Sequence, residues 1–417
     1  MVAYLKGIAD SSILLVLAHG YLYWRLVHCT TADRRRRLVL GACLGAAAAL
    51  AVATNAFSRL LPVSVAQWAA WPGYLWWALA FYLTIALVLL EIPRAVLRLR
   101  RRAKQKTGQE TKQKTAVLVA AGGPPEETVA GEPKPEPEVG RRQVLARSFA
   151  LAAGVVSAST VAYGVESALG PPQVTRYDVP LAGLSPSLSG LRIATVADIH
   201  ACAFHRRPHV ERMVRMINDT RPDVVAVVGD LADGTVEQLG DDVTPLRELR
   251  STYGSYFVTG NHEYYAQVGD WLKLLRRLDV RPLLNERVGI GGAGGFDLAG
   301  VNDLSATGSG QPGPDVGQAL AGRDPARPVV LMAHQPAMVD EAARHRVDLL
   351  LAGHTHGGQM QPLGLLKRLQ GPSVSGWSTV EDTRMYVTRG VGTFGPPVRV
   401  GAAPELTVMD LRPGGAR

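Results

Sequence analysis

At 417 residues the chain has room for two or three domains, and its 47% hydrophobic share is high for a soluble protein. A net charge of +9 points at first to a nucleic-acid surface, but residues 1–170 hold 20 Lys+Arg against 10 Asp+Glu while residues 171–417 hold 25 against 26. The excess therefore lies beside the apolar N-terminal segments, where it reports membrane orientation and excludes a nucleic-acid partner. The three cysteines, Cys29, Cys43 and Cys202, build no disulfide framework.

In chain order, the stretches at 8–28, 38–58 and 70–92 are each long enough to cross a bilayer core. Tyr21, Tyr23, Trp24, Trp68, Trp71, Trp76 and Trp77 supply interfacial aromatics. Arg34–Arg37 lies between the first two stretches. Arg94, Arg98, Arg100, Arg101, Arg102, Lys104 and Lys106 follow the third. Positive-inside bias puts both basic clusters in the cytoplasm. Residues 103–142, rich in Lys, Gln, Glu, Pro and Gly, read as a disordered cytoplasmic linker. A fourth, moderately apolar stretch occupies 144–165, preceded by Arg141–Arg142, which reads as a twin-arginine export signal or as two more positive-inside charges. The expected division is three transmembrane helices over 1–95, the linker over 96–142, a fourth transmembrane or signal-anchor segment over 143–168, and a folded region over 172–417. If the fourth segment crosses, that folded region is extracytoplasmic.

From about 172 strands alternate with helices. LRIATVA, a helix near 207–219, DVVAVVG, a helix near 244–252, SYFVTG and a helix near 268–278 form a βαβαβ run. GGFDLAGV, a helix near 315–321, PVVLMAH, a helix near 337–344 and VDLLLAG continue it, and MYVTRGV and PELTVMDL close it as strands. G-G-A-G-G at 291–295 lacks the Lys-Ser/Thr of a phosphate-cradling loop and reads as a hairpin turn.

Five segments place Asp, Asn or His directly after apolar runs: A-D-I-H at 197–200, G-D at 229–230, G-N-H-E at 260–263, His334, and G-H-T-H at 353–356. Such ligand-type side chains cluster where the strands of one sheet end. Carboxylate, imidazole and amide donors without thiolate suit a pair of hard or borderline divalent ions, manganese, iron or zinc. Asp230 is the natural bridge between two ions, beside Asp198 at the end of the neighbouring strand. Asp198 and His200 point to one side and share one ion, while His354 and His356 each reach a different one. Asn261 offers an amide oxygen and His334 a further imidazole. His262 should point opposite Asn261, toward a substrate, where it protonates a leaving oxygen or steadies phosphate charge. Cys202 is either a ligand or a small residue packed under the site. Asn302-Asp303 contacts substrate or caps a loop. Arg389 clamps a phosphate or forms a structural ion pair. Leu363–Leu366 with Lys367 and Arg368 is an amphipathic lip facing lipid or a packed turn.

Together, D-I-H, G-D, G-N-H-E, the lone His and G-H-T-H-G-G-Q resemble the calcineurin-like metallophosphoesterase family over roughly 188–410. G-H-T-H-G-G-Q (353–359) and Y-V-T-R-G-V-G-T (386–393) are similar to its membrane-associated branch related to the bacterial protein YkuE, a branch linked to UDP-diacylglucosamine pyrophosphohydrolases. The resemblance implies an α/β four-layer sandwich of two mixed sheets flanked by helices. It also implies one ion on Asp198, His200, Asp230 and His356, a second on Asp230, Asn261, His334 and His354, and His262 as acid or phosphate-binding group. Ala197 stands where the family often has Ser, with no ligand lost. The expectation is a multi-pass cell-membrane phosphoesterase with an extracytoplasmic dinuclear centre, acting on a lipid-linked or envelope phosphoester. The alternatives are a tethered phosphodiesterase for soluble nucleotides, and a metal-dependent sensor or scaffold, for which damaged ligands would be expected.

Overall fold

The computed structural model describes residues 2–57, 61–119, 140–367 and 373–415, which form two compact units. One comprises Ile13–Ala49 and Leu79–Thr160; the other comprises Met1–Ser12, Leu50–Ala78 and Val161–Arg417.

The first unit is helical. Its segments belong to α1 (Val2–Leu22, extended by a π-helical turn over Tyr23–His28), α2 (Arg34–Phe57), α3 (Val63–Val119) and α4 (Arg141–Leu169). The Ala- and Leu-rich composition of α2 favours a helix intrinsically. Ile13, Leu14, Leu17, Leu38, Val39, Leu151, Val155 and Val156 all face outward, a continuous apolar exterior that suits lipid rather than water. Inside, buried Arg25 pairs with Glu91 at 2.8 Å, and Gln143 and Arg147 both donate to the Thr30 carbonyl. Such polar groups among apolar helices are paired because an unpaired charge there is costly.

Among the described residues three helices are long and apolar enough to cross a membrane: Arg34–Phe57, Val63–Pro93 and Gln143–Leu169. The stretch expected at 8–28 is helical but is not among them, and its side chains before Ser12 lie outside the described residues. The expected linker also differs from the structure over 96–119, where α3 continues unbroken. Lys, Arg, Gln and Glu there are good helix formers whatever their solubility. Residues 120–139 lie outside the described residues.

In the second unit the chain lays down, in order, β1 (Gln173–Leu181), β2 (Arg192–Val196), α5 (Arg207–Asp219), β3 (Val224–Val228), α6 (Val236–Val243) and β4 (Ser255–Val258). It continues through α7 (Asn261–Tyr265), α8 (Val268–Arg277), β5 (Val280–Pro282), β6 (Glu286–Ile290) and β7 (Phe296–Gly300). Then follow α9 (Val316–Ala319), β8 (Val329–Met332), α10 (Val339–Arg344), β9 (Leu349–Ala352), α11 (Leu363–Lys367), β10 (Gly376–Val380), β11 (Thr383–Val387) and β12 (Glu405–Pro413).

The strands make two six-stranded mixed sheets, ordered β1-β12-β2-β3-β4-β5 and β10-β11-β9-β8-β7-β6. All five residues of β3, VVAVV, are buried, as expected of a central parallel strand covered on both faces. Successive residues serve different layers: Val224, Ala226 and Val228 join Phe296, Leu298, Val330, Met332 and Leu351 between the sheets. Val225 and Val227 join Val210, Val214, Ile217, Trp271 and Leu275 beneath α5 and α8. Each fully buried side chain of this kind contributes about 1.5–3 kcal/mol. This is the four-layer sandwich that the resemblance implies.

Three details depart from expectation. The ligand-bearing strands belong to two sheets rather than one, β2, β3 and β4 in the first and β8 and β9 in the second. The helix expected near 244–252 begins earlier, at Val236, where the Gln238 side chain accepts from Thr235 N–H; Pro245 then leaves only a 3-10 turn over Thr244–Glu248. Four edge strands not named from the sequence, β1, β5, β6 and β10, complete the sheets, β1 pairing with β12 over its whole length. The hairpin turn expected at 291–295 is present, joining β6 to β7.

Candidate metal centre

The loops after β2 and β3 run side by side beyond their strands. Asp198 N–H donates to Gly229 O, His200 N–H to Asp230 O and Ala201 N–H to Leu231 O at 2.9–3.1 Å, extending the parallel ladder and setting Asp198 beside Asp230. On both loops the backbone turns into the left-handed region at ligand positions: φ is 53° at Asp198, 44° at His200 and 55° at Asp230, with 71° at His354 and 52° at His356. Non-glycine residues persist there only where the surroundings over-determine them. Gly229, at φ 78°, is where the crowding is greatest: a Cβ would meet His334 Nδ1 at 2.6 Å and Gly260 at 2.8 Å.

Glu263 fixes the next loop. Its buried carboxylate accepts from Gly260 N–H (2.6 Å), Asp230 N–H (3.1 Å) and Leu231 N–H (2.7 Å), tying the end of β3 to the start of α7. Burial, and then the nearness of Asp230, pushes this carboxyl up to about 7. Asp230 Oδ1 accepts from His262 N–H at 2.9 Å, so α7 starts against the carboxylate. From the second sheet, the loop after β9 brings His354, whose N–H donates to both Asp198 oxygens at 3.1 Å.

The side chains converge. His200 Nε2 lies 3.1 Å from His356 Nε2, 3.7 Å from Asp230 Oδ2 and 3.9 Å from Asp198 Oδ1; His356 Nε2 lies 3.4 Å from Asp198 Oδ1. His334 Nε2 is 3.1 Å from Asp230 Oδ2. Asp198, His200 and His356 form one group whose donor atoms all lie within 4.8 Å of one another, and Asp230, His334 and His354 form a second. Burial alone would raise the Asp230 carboxyl, but His334, His262 and His200 around it hold it well below the ordinary carboxylate range.

These residues fit divalent metal. Asn261 Oδ1 is buried without a hydrogen-bond partner. His334 Nδ1 sits 2.8 Å from Val228 O and so carries the ring proton, leaving Nε2 to face the Asp230 carboxylate with either a second proton or a cation. The same holds at His200, whose Nδ1 is 2.8 Å from Asp233 Oδ1. Acceptors and lone pairs directed at a common point call for a positive charge between them.

Six of the seven expected ligand positions fall in these two groups, and Asn261 stands beside His262 at the start of α7. The orientation of His262 differs from expectation. Asn261 and His262 open a helix rather than continue a strand, so they do not point to opposite sides; His262 Nδ1 is 2.7 Å from Asp233 Oδ1 and Nε2 is 3.9 Å from Asp230 Oδ2. Arg389, expected as a phosphate clamp or an ion pair, is the latter: its Nε donates to buried Glu405 at 3.1 Å and its Nη2 reaches Gln173. Asp303 caps Ser305 N–H and accepts from Gln335, which makes 302–303 a loop cap. Leu365 and Leu366 on α11 are exposed, and Arg368 lies outside the described residues. Cys202 is not in either ligand group.

Three residues escaped sequence reasoning. Asp233 places one oxygen against both His200 Nδ1 and His262 Nδ1, and its signal was an acid three positions after Asp230. Glu263 stood inside G-N-H-E without a role. Arg399 is fully buried, donating to the carbonyls of Gly392, Ala402 and Arg389, with Nη2 3.3 Å from His356 Nδ1. Burial lowers this guanidinium to about 10.

Comparison with known proteins agrees with the geometry. The calcineurin-like phosphoesterase family profile matches residues 191–358. A bovine (Bos taurus) transmembrane protein with metallophosphoesterase domain is 40% identical over 284 residues, covering 64% of this chain and 63% of that protein. An uncharacterized metallophosphoesterase of Campylobacter jejuni is 32% identical over 271 residues, covering 64% of this chain and 71% of its own length. The uncharacterized metallophosphoesterase YkuE of Bacillus subtilis is 26% identical over 292 residues, with 66% of this chain and 98% of YkuE covered. The chain thus spans about three-fifths of the length of its bovine relative.

Proposed function

The chain belongs to the calcineurin-like phosphoesterase family, and from that premise we propose that it is a membrane-anchored, metal-dependent phosphoester hydrolase with a dinuclear centre. The observation that carries this reading is the convergence of His200 Nε2, His356 Nε2 and His334 Nε2 on the carboxylates of Asp198 and Asp230. Asp198, His200, Asp230 and His356 would hold one divalent ion, and Asp230, Asn261, His334 and His354 the other. When bound, such ions polarise phosphoryl oxygens and make water a nucleophile at neutral pH.

The chain's own residues supply the rest. Asp233 anchors the Nδ1–H of both His200 and His262, which turns each Nε2 toward Asp230. Protonated on both ring nitrogens, His262 then gives its Nε2 proton to the leaving oxygen, or donates it to a phosphoryl oxygen as negative charge grows there. Glu263 holds the strand ends so that neither role requires rearrangement.

The apolar helices and the transmembrane relative support a multi-pass membrane protein comprising spans over 1–95 and 143–168 and a phosphoesterase domain over 172–417. Positive-inside bias favours an extracytoplasmic domain. Confinement to a bilayer surface favours a lipid-linked or envelope phosphoester as substrate. The test uses the full chain in detergent, loaded in turn with manganese, iron and zinc, against bis(4-nitrophenyl) phosphate and 4-nitrophenyl phosphate. Chelator-sensitive turnover of at least one ester is expected; no turnover of either with any metal overturns the reading.

A further inference from the structure

Next to the metal centre the second unit contains an open cleft. One wall is a single face of α3: Val63, Ala66, Ala70 and Tyr74, spaced three and four residues apart. The other wall is Cys202, Ala203 and Phe204 with Leu239 and Gly395, and the inner end reaches Asp233.

The cleft is more apolar than polar. Its polar lining is Asp233, which faces the imidazoles, and Gln238, whose Oε1 accepts from Thr235 N–H. Trp71 and Tyr74 pack edge-on against Phe204, with ring centroids 4.9 and 5.8 Å apart, and so brace the walls. Ala66 and Ala70 are the small residues that leave the space between them open; a larger side chain at either would close it. The apolar lining continues toward the metal ligands through Phe394, adjacent to Gly395, which is half exposed and stands edge-on to the His262 ring at 5.4 Å. At the outer end Leu61 is exposed, and so are Val65 and Trp68, outside the lining on the same stretch of chain, Trp68 to 74%. That rim opens the helix whose first 31 residues, Val63–Pro93, are long and apolar enough to span a membrane. An exposed tryptophan at the start of such a span marks the bilayer interface.

We propose that this cleft takes an acyl chain of a membrane lipid phosphoester, holding the chain along α3 while the phosphoryl group lies at the metal ligands. The inference rests on the phosphoesterase reading above and adds a substrate class and the residues that select it. Two features favour this occupant over a soluble one. The cleft joins the bilayer-facing start of a span to Asp233, so a lipid can enter without leaving the interface. The α3 wall and the Ala203, Phe204 and Leu239 side are also apolar, and each buried methylene is worth about fourfold in affinity.

The full chain, manganese-loaded in detergent, is assayed on ethyl, octyl and hexadecyl 4-nitrophenyl phosphate. Wild type should turn over the hexadecyl ester with kcat/KM at least about tenfold above the ethyl ester. Ala70→Trp and Ala66→Leu should bring that ratio close to one. A flat wild-type profile, or a chain-length preference that survives both variants, overturns the acyl-chain cleft while leaving the phosphoesterase reading intact. Absence of turnover with every ester overturns both. A hexadecyl phosphodiester carrying a terminal diazirine gives a readout on the wild-type chain that no variant can obscure. Crosslinks within 61–74 or 202–204 are expected, and crosslinks confined elsewhere reject the cleft.

Discussion

His200 Nε2 and His356 Nε2 face each other across 3.1 Å, two ring nitrogens brought together from different sheets. His200 carries its proton on the far nitrogen, against Asp233, so its near edge is a lone pair. The two rings can stay that close only with a proton or a cation shared between them, and the carboxylate of Asp198 beside both makes a divalent cation the better fit.

Asp230→Asn tests the shared carboxylate. Asp230 lies next to His200, His262 and His334, so its loss should abolish turnover and leave fewer than two metals per chain by elemental analysis. Wild-type activity with full metal content would refute the assignment.

His262→Ala separates chemistry from binding. Its rate should fall by about 10²–10⁴, the range for a general acid, with metal content unchanged. Loss of metal would instead make His262 a ligand.

Asp233→Ala removes the acceptor that orients two imidazoles at once. Partners of this kind typically cost about 10–100-fold in metal affinity or activity when lost, and titration of metal into the stripped variant should show it. An unchanged metal affinity together with an unchanged kcat would mean that the rings are held by packing alone.

Glu263→Ala should act on stability before chemistry. It leaves three buried N–H groups without an acceptor, at about 1–3 kcal/mol each. Even one unmet group should lower Tm by several degrees, about 2–4 °C per kcal/mol for a domain of this size. A thermal scan showing no shift would indicate that water replaces the carboxylate.

Topology is open to thiol labelling in a background lacking Cys29, Cys43 and Cys202. A cysteine at Gly131 should resist an impermeant reagent in intact cells, and one at exposed Gln311 should react. The reverse pattern would place the phosphoesterase domain in the cytoplasm.

What the sequence revealed and what it hid follow from the range of the forces involved. Runs such as VVAVV and LLLA are buried on both faces, so composition alone marks them as strands, and each ligand sits where such a run stops. That made the six clustered Asp and His positions readable. The edge strands β1 and β10 are partly exposed and carry polar residues such as Arg176, Asp178 and Ser378, which dilutes the apolar signal. Asp233 and Glu263 were visible as acids, but their roles depend on neighbours some thirty residues away. The division of ligands between two sheets is a property of strand order, which local pattern does not encode. Arg389 shows the same limit: its ion pair with Glu405, sixteen residues on, is not visible in the local T-R-G-V-G pattern.

The left-handed backbone at Asp198, His200, Asp230, His354 and His356 has a consequence for how the centre is filled. Hydrogen bonds between main-chain groups, together with Glu263, hold the loops after β2 and β3 in that unusual shape, and none of these bonds uses a metal-ligating side-chain atom. The ordering cost is met when the sheets assemble, not when an ion arrives. The loops after β2 and β3 are therefore cast before any cation enters, and a cation that enters meets a cavity whose size those loops have already set.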